Sequence, residues 1–161
     1  MIQAAAWPGS IGQLVHCPPH PPRPDAMDRT HLHSLLPHQG QALWLDRLLS
    51  HDAQRISGLS DWAHLDSIAT DASPCLLFEA AAQLCAAHGA LYGDATALEM
   101  ALVGKVSQVH LHHEPDQRSG ELLVCATQEA LSPAGASYAF AISAQGRLLL
   151  DGKLLLVLVY A

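Results

Sequence analysis

Between Asp71 and Asp94 the sequence carries a single formally charged residue, Glu79, within the run PCLLFEAAAQLCAAHGALY, Pro74 to Tyr92. Pro74 suits the first position of a helix and the alanines favour continuing it. A carboxyl group about one turn into such a helix feels two opposed effects. Desolvation favours the neutral acid, whereas the helix N-terminus favours the anion. A group balanced in this way can exchange protons near neutral pH, as a general acid or base must. The competing use of Glu79 is a helix end that reaches solvent or a partner chain.

Eleven histidines raise the question of a metal. His110, His112 and His113 stand in VHLHHE, and strand alternation puts His110 and His112 on one face. With Glu114 they would make a zinc-like set only if the strand ran on regularly. Histidines on an exposed strand face are commoner, so neither a metal nor a cofactor is expected. His31 and His33 sit beside a fraying first turn and read the same way. Cys85 and His88 are three apart on the helix, but a nucleophilic thiol needs an electropositive setting, and core packing is the better reading. Cys17, Cys75, Cys85 and Cys125 form no C-x-x-C pair, which points to a reducing, cytoplasmic location. No G-x-S-x-G, Gly-rich phosphate loop or H-E-x-x-H is present.

The elements that must hold these residues can be read in order. Residues 1–26 form a proline-rich arm, with Pro18, Pro19, Pro21, Pro22 and Pro24 excluding a regular helix or central strand. A single domain follows over 27–161. Asp28 or Thr30 caps a short helix through Leu36, stopped by Pro37. Strands are predicted at Ala42–His51 and Arg55–Ala63, then a loop through Ala72 and the long helix, apolar on nearly every side. Further strands are predicted at Leu98–Val103, Lys105–His113, Glu121–Ala130, Ala136–Ala144 and Arg147–Val159. Gln145–Gly146 makes a tight hairpin turn, and Asp151–Gly152 a bulge.

The chain has 161 residues, half of them apolar, and a formal charge of −7. It is too apolar for disorder. Its acidity and few aromatics argue against a nucleic-acid partner. The longest apolar run, Leu154 to Ala161, is eight residues, short of a membrane span.

One long helix with antiparallel strands wrapped about it is an α+β arrangement, the hotdog fold. Two stretches carry a family resemblance. SLLPHQGQALWLDRLL, Ser34 to Leu49, resembles the opening of the 3-hydroxyacyl-[acyl-carrier-protein] dehydratases, with Pro37, His38, Leu45, Asp46 and Arg47 at matching positions. PCLLFEAAAQL resembles their central helix, with Cys75, Leu76, Glu79, Ala80 and Gln83 in register. The similarity spans about Thr30 to Tyr160.

In that family the helix acid works with a histidine of the neighbouring protomer. The resemblance therefore implies that Glu79 gives a proton to the departing β-hydroxyl while a histidine removes the α-proton. Backbone N–H groups at the helix start, around Pro74, Cys75 and Leu76, would polarise the thioester carbonyl, and Gln83 would belong to the same substrate site. Two departures stand out. The family's Gly-His-Phe-Pro-Gly loop is missing, and His64, fifteen residues before Glu79, is the one histidine in the shorter loop DWAHLDSIATDAS. Pro74 replaces a glycine and has no N–H to offer. These features resemble the divergent dehydratase-like proteins of aryl-polyene and xanthomonadin-type pigment gene sets.

The expected activity is dehydration of a 3-hydroxyacyl thioester, on acyl-carrier protein or CoA, in fatty-acid or polyene-type biosynthesis. The expected assembly is a homodimer, a higher oligomer, or a heterodimer with another hotdog chain. Two other readings compete: an inactive hotdog subunit that binds acyl-carrier protein or an active dehydratase, and an acyl thioesterase. Carrier docking would use the few bases, Arg47, Lys105, Arg118 and Arg147.

Overall fold

A computed structural model describes residues 26–93 and 98–160. The arm over 1–26 therefore lies almost wholly outside the described residues. Seven strands form one antiparallel sheet: β1 (Met27–Asp28), β2 (Arg47–His51), β3 (Arg55–Asp61), β4 (Leu98–Leu111), β5 (Glu121–Ser132), β6 (Gly135–Ala144) and β7 (Arg147–Tyr160). Their spatial order is β1-β2-β3-β5-β6-β7-β4. The helices are α1 (Arg29–Leu35), α2 (Trp62–Asp66) and α3 (Phe78–Tyr92), the last entered through a 3-10 turn at Pro74–Leu77.

The sheet wraps α3 because the helix offers it small side chains. Ala80, Ala81, Leu84, Cys85 and Ala87 are fully buried against a core that includes Leu48, Ile56, Val124, Tyr138, Phe140 and Leu154. Alanines let strands approach closely while leucines fill the gaps, so the packing is dense and apolar. By length and composition Pro74–Tyr92 could cross a membrane; here it is the core helix of the sheet. It is not covered on every side, however. Cys75, Leu76, Glu79, Ala86, Gly89 and Ala90 share a face that the chain's own sheet leaves open.

The predicted elements shift in four places, each for a local reason. Residues 42–46 do not join a strand, because the carbonyls of 42–45 accept from side chains instead, while Asp46 N reaches Leu59 O of β3 at 2.8 Å. The Arg29 guanidinium donates to the carbonyls of Gly40, Leu43 and Leu45. The Gln83 amide meets Ala42 O and Trp44 N. The strand predicted to Ala63 ends at Asp61, whose carboxylate accepts from Ala63 N and caps the unpredicted helix α2. Leu98–Val103 and Lys105–His113 are one strand of fourteen residues, with Gly104 inside it.

The bulge predicted at Asp151–Gly152 falls opposite, in β4, where the register slips between Ser107 and His110 and Gln108 takes φ 51°. Gly152 instead lets β7 pass Phe140, since a Cβ there would lie 2.8 Å from that ring. Asp28 does cap α1, accepting from His31 N at 3.1 Å. Gln145 and Gly146, at φ 52° and 74°, make the expected two-residue hairpin.

Candidate functional site

Glu79 sits in the first turn of α3, on the open face. Gln83, one turn on, donates its Nε2 to Glu79 Oε1 at 3.0 Å. The same amide donates to Ala42 O at 2.8 Å, and its Oε1 accepts from Trp44 N at 2.8 Å. A buried amide with all these bonds fixes its own orientation. Gln83 thus ties the 40–46 segment to the helix and presents Glu79 in one direction. That is a positioning task, beyond the substrate contact expected of it.

The segment tied down in this way delivers His38. Its Nε2 lies 3.7 Å from Glu79 Oε1, with both side chains 35% exposed. His38 Nδ1 is buried without a hydrogen-bond partner. The ring therefore meets solvent and Glu79 through Nε2. Sequence reasoning singled out His38 as part of the Leu-Pro-His match but gave it no chemical role. The signal lay in that motif, since a proline at position 37 stops α1 just before His38.

His64 is held elsewhere within the chain. It lies in α2, and its Nε2 is 3.1 Å from both carboxylate oxygens of Asp46. Asp46 also accepts from Arg29 at 2.8 Å, so the three side chains form one ionic network beside the 40–46 segment. One chain therefore brings together Glu79, Gln83 and His38, while His64 braces their support.

At the helix start Pro74 is buried, and Ser73 takes up the next two donors. Cys75 N donates to Ser73 Oγ at 3.3 Å and Leu76 N to Ser73 O at 3.0 Å. The Cys75 bond is long and ends on a rotatable hydroxyl, which makes Cys75 N–H the donor most readily turned over to a carbonyl in place of Ser73 Oγ. The Leu76 side chain lies exposed on the same face as Glu79.

The other chemistry-bearing residues take structural places. His110 Nδ1 and His112 Nε2 each lie 3.0 Å from a different oxygen of buried Asp151. Glu114 turns away to Arg118. Among the described residues no group of three His, Cys, Asp or Glu side chains is placed to hold a metal ion. Cys85 is buried, and desolvation pushes its thiol far up, leaving it inert. His88 bonds to Asp52 O and Tyr138 Oη instead of the thiol.

No family's sequence profile matches the chain, and no curated protein matches it. Solved structures do. The dehydratase heterocomplex ApeI:P from Xenorhabdus doucetiae aligns with a TM-score of 0.69 at 13% identity, covering 80% of this chain and 90% of that one. A mutant thioesterase from Pseudomonas aeruginosa aligns at 0.62 and 14% identity, covering 84% and 96%. A thioesterase from Haemophilus influenzae aligns at 0.53 and 15% identity, covering 74% and 80%. At such identities the likeness speaks of architecture. With one long helix wrapped by an antiparallel sheet, and with these neighbours, the chain is a hotdog-fold protein.

Proposed function

We propose that the protein dehydrates 3-hydroxyacyl thioesters, with Glu79 and His38 as its acid and base. The observation that carries this reading is the His38–Glu79 pair at 3.7 Å, held by Gln83 on the open face of an otherwise uncharged helix. Elimination needs a base at the α-carbon and an acid at the β-hydroxyl, and a pair 3.7 Å apart can serve both from one side of the substrate. His38 Nε2 takes the α-proton, the α–β double bond forms, and the C–O bond breaks. The hydroxyl leaves as water with the proton of Glu79. The products are an enoyl thioester and water. Proton return from His38 to Glu79 restores the pair. Cys75 N–H, released from Ser73, is the donor proposed for the thioester carbonyl.

The partner proposed for the chain is a second copy, or another hotdog subunit, seated against the edge strand β4. Among the described residues nothing pairs with that edge, and Met100, Leu102, Val103 and Leu111 are exposed along it. An edge of fourteen residues with such side chains is a template for strand addition. The acyl group would arrive on acyl-carrier protein or CoA.

Thioester hydrolysis is the second reading, favoured by the two thioesterases among the structural neighbours. There Glu79 would direct water at the carbonyl. The test is to incubate the protein with a 3-hydroxyacyl thioester and follow enoyl absorbance and free thiol together. Enoyl product without thiol is expected. Free thiol without enoyl product would assign a thioesterase, and neither product would assign a non-catalytic subunit.

A further inference from the structure

Strand alternation puts Ser57, Cys125, Ala141 and Asp151 on the face of the sheet turned away from α3. Each stands between two core-facing positions, as Cys125 does between Val124 and Ala126. Register makes them one row, Ser57 opposite Cys125, Cys125 opposite Ala141 and Ala141 opposite Asp151. The row is nonetheless buried, each residue being between 3% and 8% exposed. Among the described residues no helix covers it, since Leu32 of α1, Leu65 of α2 and Leu84 of α3 all pack into the core on the other face. His110 and His112 screen Asp151. Side chains as small as those of Ser57, Cys125 and Ala141 do not bury one another on an open sheet.

Cys125 is also disulfide-bonded, whereas Cys75 and Cys85 are free. Of the four cysteines in the chain, this leaves Cys17 as its partner. The reach is sufficient. Met27 pairs with Leu48, Leu48 with Gly58 and Gly58 with Val124, so the chain enters the sheet level with the neighbour of Cys125. The three strand spacings between them are about 14 Å. The nine residues from Cys17 to Ala26 span about 28 Å even at the rise of a polyproline helix. The chemistry of the arm also suits the row. Ser57 bonds to Ser50, and Asp151 to His110 and His112, so the row asks no hydrogen bond of its cover. Pro18, Pro19, Pro21, Pro22 and Pro24 bring no N–H that would be left unpaired there. Ile11, Leu14 and Val15 supply apolar side chains ahead of Cys17, and Leu59 and Leu123 beside the row are half-buried.

We infer that residues 1–25 strap the outer face of the sheet and are locked there by a Cys17–Cys125 disulfide, a redox-dependent clasp. The inference stands apart from the reaction proposed for Glu79. Closure is thiol–disulfide exchange with a small-molecule disulfide. One cysteine thiolate attacks that disulfide and expels a thiolate; the other cysteine thiolate then attacks the mixed disulfide and expels the second. Cys17 and Cys125 give up two electrons and two protons between them, and the small disulfide takes these up as two thiols. In a reducing compartment the exchange runs backwards and the clasp opens.

The test uses the full chain equilibrated with oxidised glutathione or with dithiothreitol, alkylated under denaturing conditions and mapped by peptide mass. The oxidised chain should yield one linked peptide pair holding Cys17 and Cys125, with Cys75 and Cys85 outside it; dithiothreitol should free all four. The oxidised wild type should melt about 5–15 °C above Cys17→Ser, the shift expected for a native disulfide in a chain of this size. Dithiothreitol should bring the wild type down to the variant. Cys17→Ser changes only the arm, so it decides even if Cys125→Ser does not fold. Subtilisin should cut residues 1–16 about tenfold more slowly in the oxidised chain than in the reduced one. Alkylation of Cys17 in the oxidised chain, linkage of Cys125 to any other cysteine or to a second copy, or equal Tm in wild type and Cys17→Ser would overturn the inference. Equal cleavage of the oxidised and reduced arm would also overturn it, by showing a bond without a strap.

Discussion

His38 and Glu79 face each other at 3.7 Å although forty-one positions separate them in the chain. Gln83 makes that meeting possible, since one amide bonds Glu79, Ala42 and Trp44 at once. The site thus depends on a clamp between the helix and an irregular segment. Replacing Gln83 by Leu leaves Trp44 N–H and Ala42 O without their partner. A loss of about 2–4 kcal/mol in urea unfolding is expected. In the folded variant kcat should fall more than KM, because Glu79 loses its orientation but the open helix face remains. Wild-type kcat in Gln83→Leu would remove the clamp from the account.

Gly152 marks a tight crossing of the sheet over the core. A methyl group there would stand 2.8 and 2.9 Å from two ring atoms of Phe140. Gly152→Ala is expected to cost about 1–3 kcal/mol through overpacking. Adding Phe140→Leu should recover part of that loss in a double-mutant cycle. Independent, additive effects would show that the two positions do not collide.

Stability should fall in mild acid because of His88. Burial lowers its pKa from the model-peptide value of 6.5, so the folded state resists protonation more than the unfolded state does. The unfolded chain binds the extra proton first, and this contribution, complete above about 6.5, fades as pH drops below it. His88→Gln should flatten the fall in Tm between about pH 7 and pH 5. A slope as steep as the wild type's would assign the acid sensitivity to other groups.

The basic residues proposed for carrier docking divide into two kinds. Arg118 donates to Glu114 and Ala72 O and lies over the Trp62 ring, so Arg118→Glu should lower Tm. Arg47, Lys105 and Arg147 are exposed. Reversing the charge of Arg47 or Arg147 should weaken acyl-carrier-protein binding with little change in Tm. Unchanged affinity in both variants would move docking away from them.

Periodicity made the long helix and most strands readable, and Glu79 stood out because no other charge shares its helix. The irregular parts were hidden. Residues 42–46 alternate like a strand, yet side chains of Arg29 and Gln83, distant in sequence, claim their backbone groups. Helix α2 spans five residues, too few for a period to show. His64 was chosen as the one histidine in the loop before the helix, to act across a dimer; within one chain its partner is Asp46. His38 was visible as a motif residue only, because its approach to Glu79 depends on the Gln83 clamp. The open face of α3 was masked by its own composition, since alanine and glycine read as core in either place.

The most direct test of the Glu79–His38 pair compares dehydration of one 3-hydroxyacyl thioester by the wild type and by Glu79→Gln, His38→Asn and His64→Asn, each checked for folding. Rates in the first two variants should drop by at least about a hundredfold, the loss typical of removing a general acid or base. The third should retain most of its activity per folded molecule. Full activity in His38→Asn together with a collapse in His64→Asn would contradict the account and give the base role to His64 acting across a dimer.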